Sequence, residues 1–135
     1  MIVIIDTNVV VSAVIRDGLP QRVIEEIVSR DDWFWVVTRQ IEAEYRELLS
    51  RPKFNLTTSI QQDWLTLIEA ATISFEPDTE IQFPRDPRDM PFLAAALASE
   101  ADYLITGDKD FSEAQHLINC RIISVAEFAR TFSIA

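Results

Sequence analysis

Two stretches at opposite ends of the chain run from apolar residues straight into a carboxylate: "IVIIDTN" at residues 2–8 and "LITGDKDF" at residues 104–111. Between them, "PRDPRDMPF" adds Asp86 and Asp89 just before a strongly apolar segment. Carboxylates brought together repel and solvate poorly, so each would be held protonated unless a cation neutralises the group. Hard divalent ions suit such an all-oxygen set. Mg²⁺ takes carboxylates while keeping waters and phosphate oxygens, and a metal pair about 3.5–4 Å apart can activate water and stabilise a leaving alkoxide. The reaction this suggests is hydrolysis of a phosphodiester.

The elements must bring those acids to one place. Ile2–Ile5 are wholly apolar and mostly β-branched, which fits a central strand covered on both faces. A helix is expected after Asp6, and a second over 19–30, where Leu19, Val23, Ile24, Ile27 and Val28 share one face. "WFWVV" at 33–37 is expected as a strand. Thr38 caps the next helix, whose stripe is Ile41, Tyr45, Leu48 and Leu49 and which Pro52 ends. A helix over 60–71 leads to a short strand, "TISF". The segment 90–101 is apolar nearly all round and so forms a buried helix. "YLIT" (103–106) and "RIIS" (121–124) are expected as strands, "FSEAQHLI" as a short helix and "VAEFARTF" as a closing one. This alternation predicts an α/β/α layered fold around a mostly parallel sheet, in one domain over 1–135.

Ligands of open parallel sheets bind beyond the carboxyl ends of the strands. Asp6 and Asp108 are therefore expected at one edge, and Asp89, three and four residues before Phe92 and Leu93, at the head of the buried stripe facing them. On the helix after Thr38, Glu47 falls opposite the apolar stripe while Glu42 and Glu44 flank it. Periodicity sets Glu47 aside and leaves the other two open.

Composition limits the alternatives. The net charge of −10 speaks against unselective nucleic-acid binding, which draws on Lys and Arg. Two local groups of cations remain, Arg46, Arg51 and Lys53 on one side and Arg85 and Arg88 on the other. One cysteine allows no intramolecular disulfide, and one histidine, His116, gives little support to a zinc or Ser–His site. No apolar run reaches the ~20 residues that span a bilayer, and no leader is visible, so a cytoplasmic protein without a membrane partner is expected. Trp33, Trp35 and Trp64 are expected in packing rather than base stacking.

Four pieces in order carry a resemblance: "VIIDTNVVVSA", "TRQIEAEYRELLSRPKF", "DPRDMPFLAAALASEADYLITGDKDF" and "IISVAEFA". Over about residues 1–132 the chain resembles PIN-domain proteins of the VapC-like toxin type from bacterial toxin–antitoxin pairs. The resemblance implies a Mg²⁺- or Mn²⁺-dependent ribonuclease whose acids map onto Asp6, Glu44, Asp89 and Asp108, with Asp110 a further metal ligand. It thereby selects Glu44. Asp86 is the rival of Asp89, although before Pro87 it also suits a helix cap. Thr7, Asn8 and Thr106 are expected to orient ligands or water, and Arg46, Arg51, Lys53 and Arg88 to touch RNA. A homodimer and a cognate antitoxin partner are also implied. Two rivals stand beside this: a non-catalytic module of the same fold that binds RNA or protein, and a haloacid-dehalogenase-type phosphatase. The phosphatase wants an aspartate where Asn8 stands.

Overall fold

A computed structural model of the protein describes residues 1–77, 90–109, 111, 115 and 118–135. The elements run β1 (Ile2–Ile5), α1 (Thr7–Ile15), α2 (Leu19–Ser29), β2 (Phe34–Val37), α3 (Arg39–Leu49), a 3₁₀ turn at Pro52–Phe54, and α4 (Thr58–Ala71). They continue with β3 (Thr72–Ser74), α5 (Met90–Ala98), β4 (Tyr103–Ile105), β5 (Arg121–Ile123) and α6 (Val125–Thr131). The segment expected as a short helix after Asp110 lies largely outside the described residues.

The five strands of the described residues are parallel, in the order β3-β2-β1-β4-β5. Val3, Ile4 and Ile5 are fully buried, as a central strand covered on both faces requires. The chain steps from β1 to β2 in one lateral direction and from β3 to β4 in the other. Right-handed crossovers therefore put α1 and α2 on one face of the sheet and α5 on the other, and the layers are α/β/α. The order reverses between β1 and β4, so the switch point where such sheets bind ligands lies between the ends of these two strands.

Local sequence explains most element ends. The Ile41 amide donates to Thr38 Oγ1 at 3.1 Å, the Ile60 amide to Thr57 Oγ1 at 3.1 Å and the Glu127 amide to Ser124 Oγ at 3.1 Å, giving three helices a side-chain N-cap. Trp33 falls just before β2 rather than within it. Its ring meets Phe128 and Phe132 edge-on at 5.7 and 4.8 Å, with the Arg30 guanidinium 4.1 Å above it. Aromatic packing accounts for this tryptophan, and Trp35 is buried as well, its ring 6.0 Å from that of Tyr45 on α3. No helix among the described residues is long and apolar enough to cross a membrane.

Candidate metal and nuclease site

Asp6 is placed by the end of β1. Its amide continues the ladder to Ile105 O at 2.9 Å, and its carbonyl accepts from Val9 and Val10 to open α1. Although Asp6 occupies the N-cap position, its side chain makes no capping hydrogen bond. Instead Thr106, at the end of β4, donates from Oγ1 to Asp6 Oδ2 at 2.8 Å, and the same oxygen accepts from the Asp108 amide at 3.0 Å. The two strand ends at the switch point are thus joined through one hydroxyl, which fixes Asp6 and Asp108 on the same edge.

Burial is the main reason the Asp6 carboxyl titrates above its ordinary value, and the Asp108 charge adds to the rise; the Thr106 hydroxyl and the Asn8 and Thr7 amides oppose it. Glu44, half-buried on α3, is raised in the same way: burial leads, and Asp6 and Glu47 add repulsion, against Thr7 and Arg51. Thr7 Oγ1 is buried and stands near enough to favour the Glu44 charge, yet makes no hydrogen bond of ordinary geometry. It is a polar atom with capacity to spare beside two acids.

These groups share a cleft of about 330 Å³. Asp6, Glu44, Glu47 and Asp108 line it, with Thr7 and Asn8 between them and Leu48, Phe92 and Phe111 as apolar wall. Arg51 is the one cationic side chain lining it among the described residues, and it forks onto Glu47 at 2.9 and 3.0 Å. Four acids against one arginine is an arrangement that a hard cation would relieve. The donors are all oxygens, and Thr7 offers one more, so the set fits Mg²⁺ or Mn²⁺ rather than a soft metal. Among the described residues no three acids close into a metal cage. That is compatible with an ion that retains several waters.

The expected site residues divide three ways. Asp6, Glu44 and Asp108 meet at the cleft, as do Thr7, Asn8 and Arg51, and Thr106 supports two of them from beneath. Arg46 turns to Glu42 at 3.1 Å and Glu69 at 3.8 Å, and the Lys53 ammonium rests 5.0 Å from the Phe54 ring; neither lines the cleft. Asp86, Arg88, Asp89 and Asp110 lie outside the described residues.

One expectation needs correction. Glu47, set aside because it opposes the buried stripe, lines the cleft beside Glu44. Glu44, Glu47 and Leu48, at i, i+3 and i+4, are neighbours along one side of α3, and Arg51, just past the end of that helix, folds back onto Glu47, so this flank borders the site. The i,i+4 pairing of Glu47 with Arg51 was a signal available in the sequence. Nothing local marked Phe92 and Phe111 as cleft wall.

A parallel α/β/α sheet with carboxylates gathered at its switch point defines the class of molecule. Within that class the chain belongs to the PIN domain family, which it matches over residues 2–110. Among solved structures the fold is similar to a chain in the crystal structure of VapBC2 from Rickettsia felis bound to a DNA fragment from their promoter. The TM-score is 0.62, with 92% of this chain and 98% of that chain covered and 16% identity. At that identity the likeness is one of fold. No curated protein matches the chain.

Proposed function

We propose that this PIN domain is a metal-dependent endoribonuclease and the toxin of a toxin–antitoxin pair, formed by a single domain over 1–135. The observation that carries the reading is the meeting of Asp6, Glu44 and Asp108 around one acidic cleft at the switch point. Asp6, Glu44, Asp89 and Asp108 would hold Mg²⁺ or Mn²⁺, with Asp110 as a further ligand and Asp86 as the alternative to Asp89. When bound, the ion lowers the pKa of water and neutralises charge at phosphorus.

The chain's own groups do the rest. The Thr106 hydroxyl and the first amides of α1 favour the ionised form of Asp6 against the effect of burial. Thr7 and Asn8 orient ligands or water from the cleft wall. Arg51, already aimed along the cleft by Glu47, takes a non-bridging phosphate oxygen, with Arg46, Lys53 and Arg88 left for contacts farther along the RNA. Leu48, Phe92 and Phe111 limit the water that reaches the reacting phosphate. With a net charge of −10, affinity for RNA without metal is expected to be weak. A homodimer, an antitoxin that covers the cleft, and action in the cytoplasm complete the proposal; the VapBC2 likeness of fold supports the antitoxin part.

The test is cleavage of labelled structured and single-stranded RNA by purified protein with Mg²⁺, Mn²⁺ or EDTA, beside Asp6→Asn and Asp89→Asn. Cutting that needs both metal and aspartates supports the proposal. Cutting that persists in EDTA or in Asp6→Asn overturns it.

A further inference from the structure

Tyr45 has no part in the site as built above, yet it stands directly under it. The side chain is 0% exposed, in the middle of the buried stripe of α3, and its neighbour in the chain is Glu44. Its hydroxyl donates to the backbone carbonyl of Ile5, the residue before Asp6. The β1–β2 register runs from Ile2↔Phe34 to Val3↔Trp35, two residues short of Ile5, so a side chain from α3 serves the carbonyl where the ladder gives out. On the other side the Trp35 ring of β2 lies 6.0 Å from the Tyr45 ring, and its buried indole N–H, which makes no hydrogen bond of ordinary geometry, faces the phenol closely enough to favour its charged form.

A phenylalanine would fill this space without the cost of burying a hydroxyl. What the hydroxyl adds is direction, since a hydrogen bond fixes distance and angle where apolar contact tolerates sliding. The bond ties the residue after Glu44 to the residue before Asp6, so a slip of α3 along the sheet would move one acid against the other.

We propose that Tyr45 is a positioning residue that registers Glu44 against Asp6 through the Ile5 carbonyl, setting the spacing of the carboxylates for a divalent ion. The inference rests on the metal-site reading above and adds to it a residue that touches neither ion nor substrate. Hydrogen-bond partners of metal ligands, when removed, weaken metal binding by about 10- to 100-fold, and Tyr45, which holds the backbone one residue from a ligand, is placed at the lower end of that range.

The experiment measures Mn²⁺ affinity by calorimetry, together with the thermal midpoint, for the wild-type protein, Tyr45→Phe and Leu49→Ala. Leu49 is also fully buried, one turn farther along the same stripe, and does not line the cleft. Tyr45→Phe is expected to bind Mn²⁺ about tenfold more weakly and to lower kcat with KM for RNA unchanged. Leu49→Ala is expected to lose at least as much thermal stability while keeping its affinity within about twofold. Placing 4-aminophenylalanine at position 45, which keeps a donor at the same point and covers the case in which Tyr45→Phe does not fold, restores the affinity. If Tyr45→Phe binds Mn²⁺ as the wild type does, or if both variants lose affinity in proportion to stability, the positioning role is overturned. Wild-type protein that takes no Mn²⁺ ends the metal reading itself, an outcome distinct from either of these.

Discussion

Thr106→Val keeps the side chain's shape and deletes the hydroxyl that joins the ends of β1 and β4. That oxygen donates to Asp6 Oδ2 at 2.8 Å and accepts from the Asp108 amide at 3.0 Å, in a residue only 5% exposed, so water has little room to replace it. A hydrogen bond to a charged group contributes about 1.5–3 kcal/mol, and a second bond, from an amide only partly buried, about 0.5–1 kcal/mol. The expected loss is therefore about 2–4 kcal/mol at pH values above the folded-state pKa of Asp6. For a chain of this size that is a fall in Tm of roughly 6–20 °C.

The pH dependence follows from the direction of the Asp6 shift. Its folded-state pKa lies above the unfolded value, so the folded protein binds more protons between the two, and metal-free stability falls as pH rises through that window. The Thr106 hydroxyl opposes the rise, so removing it lifts the folded value further. The gap between wild type and variant should be widest above that value and narrow as pH falls toward about 4. Urea unfolding in EDTA, followed by tryptophan fluorescence at about pH 8 and about pH 5, measures both quantities. A loss below about 1 kcal/mol, or a gap that widens on acidification, would refute the reasoning.

Three further outcomes are expected. Asp6→Asn removes a charge that burial disfavours while its amide oxygen can still accept from Thr106; the metal-free protein should gain about 1 kcal/mol near pH 8 in the same urea assay and lose at least about 100-fold in cleavage rate. Arg51→Ala breaks an ion pair whose side chains are 45% and 58% exposed, so stability should change by less than about 1 kcal/mol, while KM for RNA rises and kcat holds. Phe128→Ala empties a fully buried site packed on Phe132 and Tyr103 at 4.7 and 5.4 Å, costing about 3–5 kcal/mol by urea unfolding, with Mn²⁺ affinity unchanged because the cluster lies away from the cleft.

Much of this protein is written locally. An apolar β-branched run ending in aspartate can hardly be anything but a buried strand delivering a carboxylate, and Asp6 and Asp108 lie where that pattern puts them. Thr38, Thr57 and Ser124 begin helices because a hydroxyl there meets an amide three residues on, an interaction confined to a few neighbouring residues. Contacts between distant segments are of another kind. That β1 lies between β2 and β4, that the Thr106 hydroxyl spans 100 positions to reach Asp6, and that Tyr45 finds the Ile5 carbonyl all depend on how whole elements pack. Glu47 shows the boundary most clearly. Helical periodicity gives its angle around α3 correctly, but only the neighbours that close around that helix decide whether the angle looks onto solvent or into the cleft.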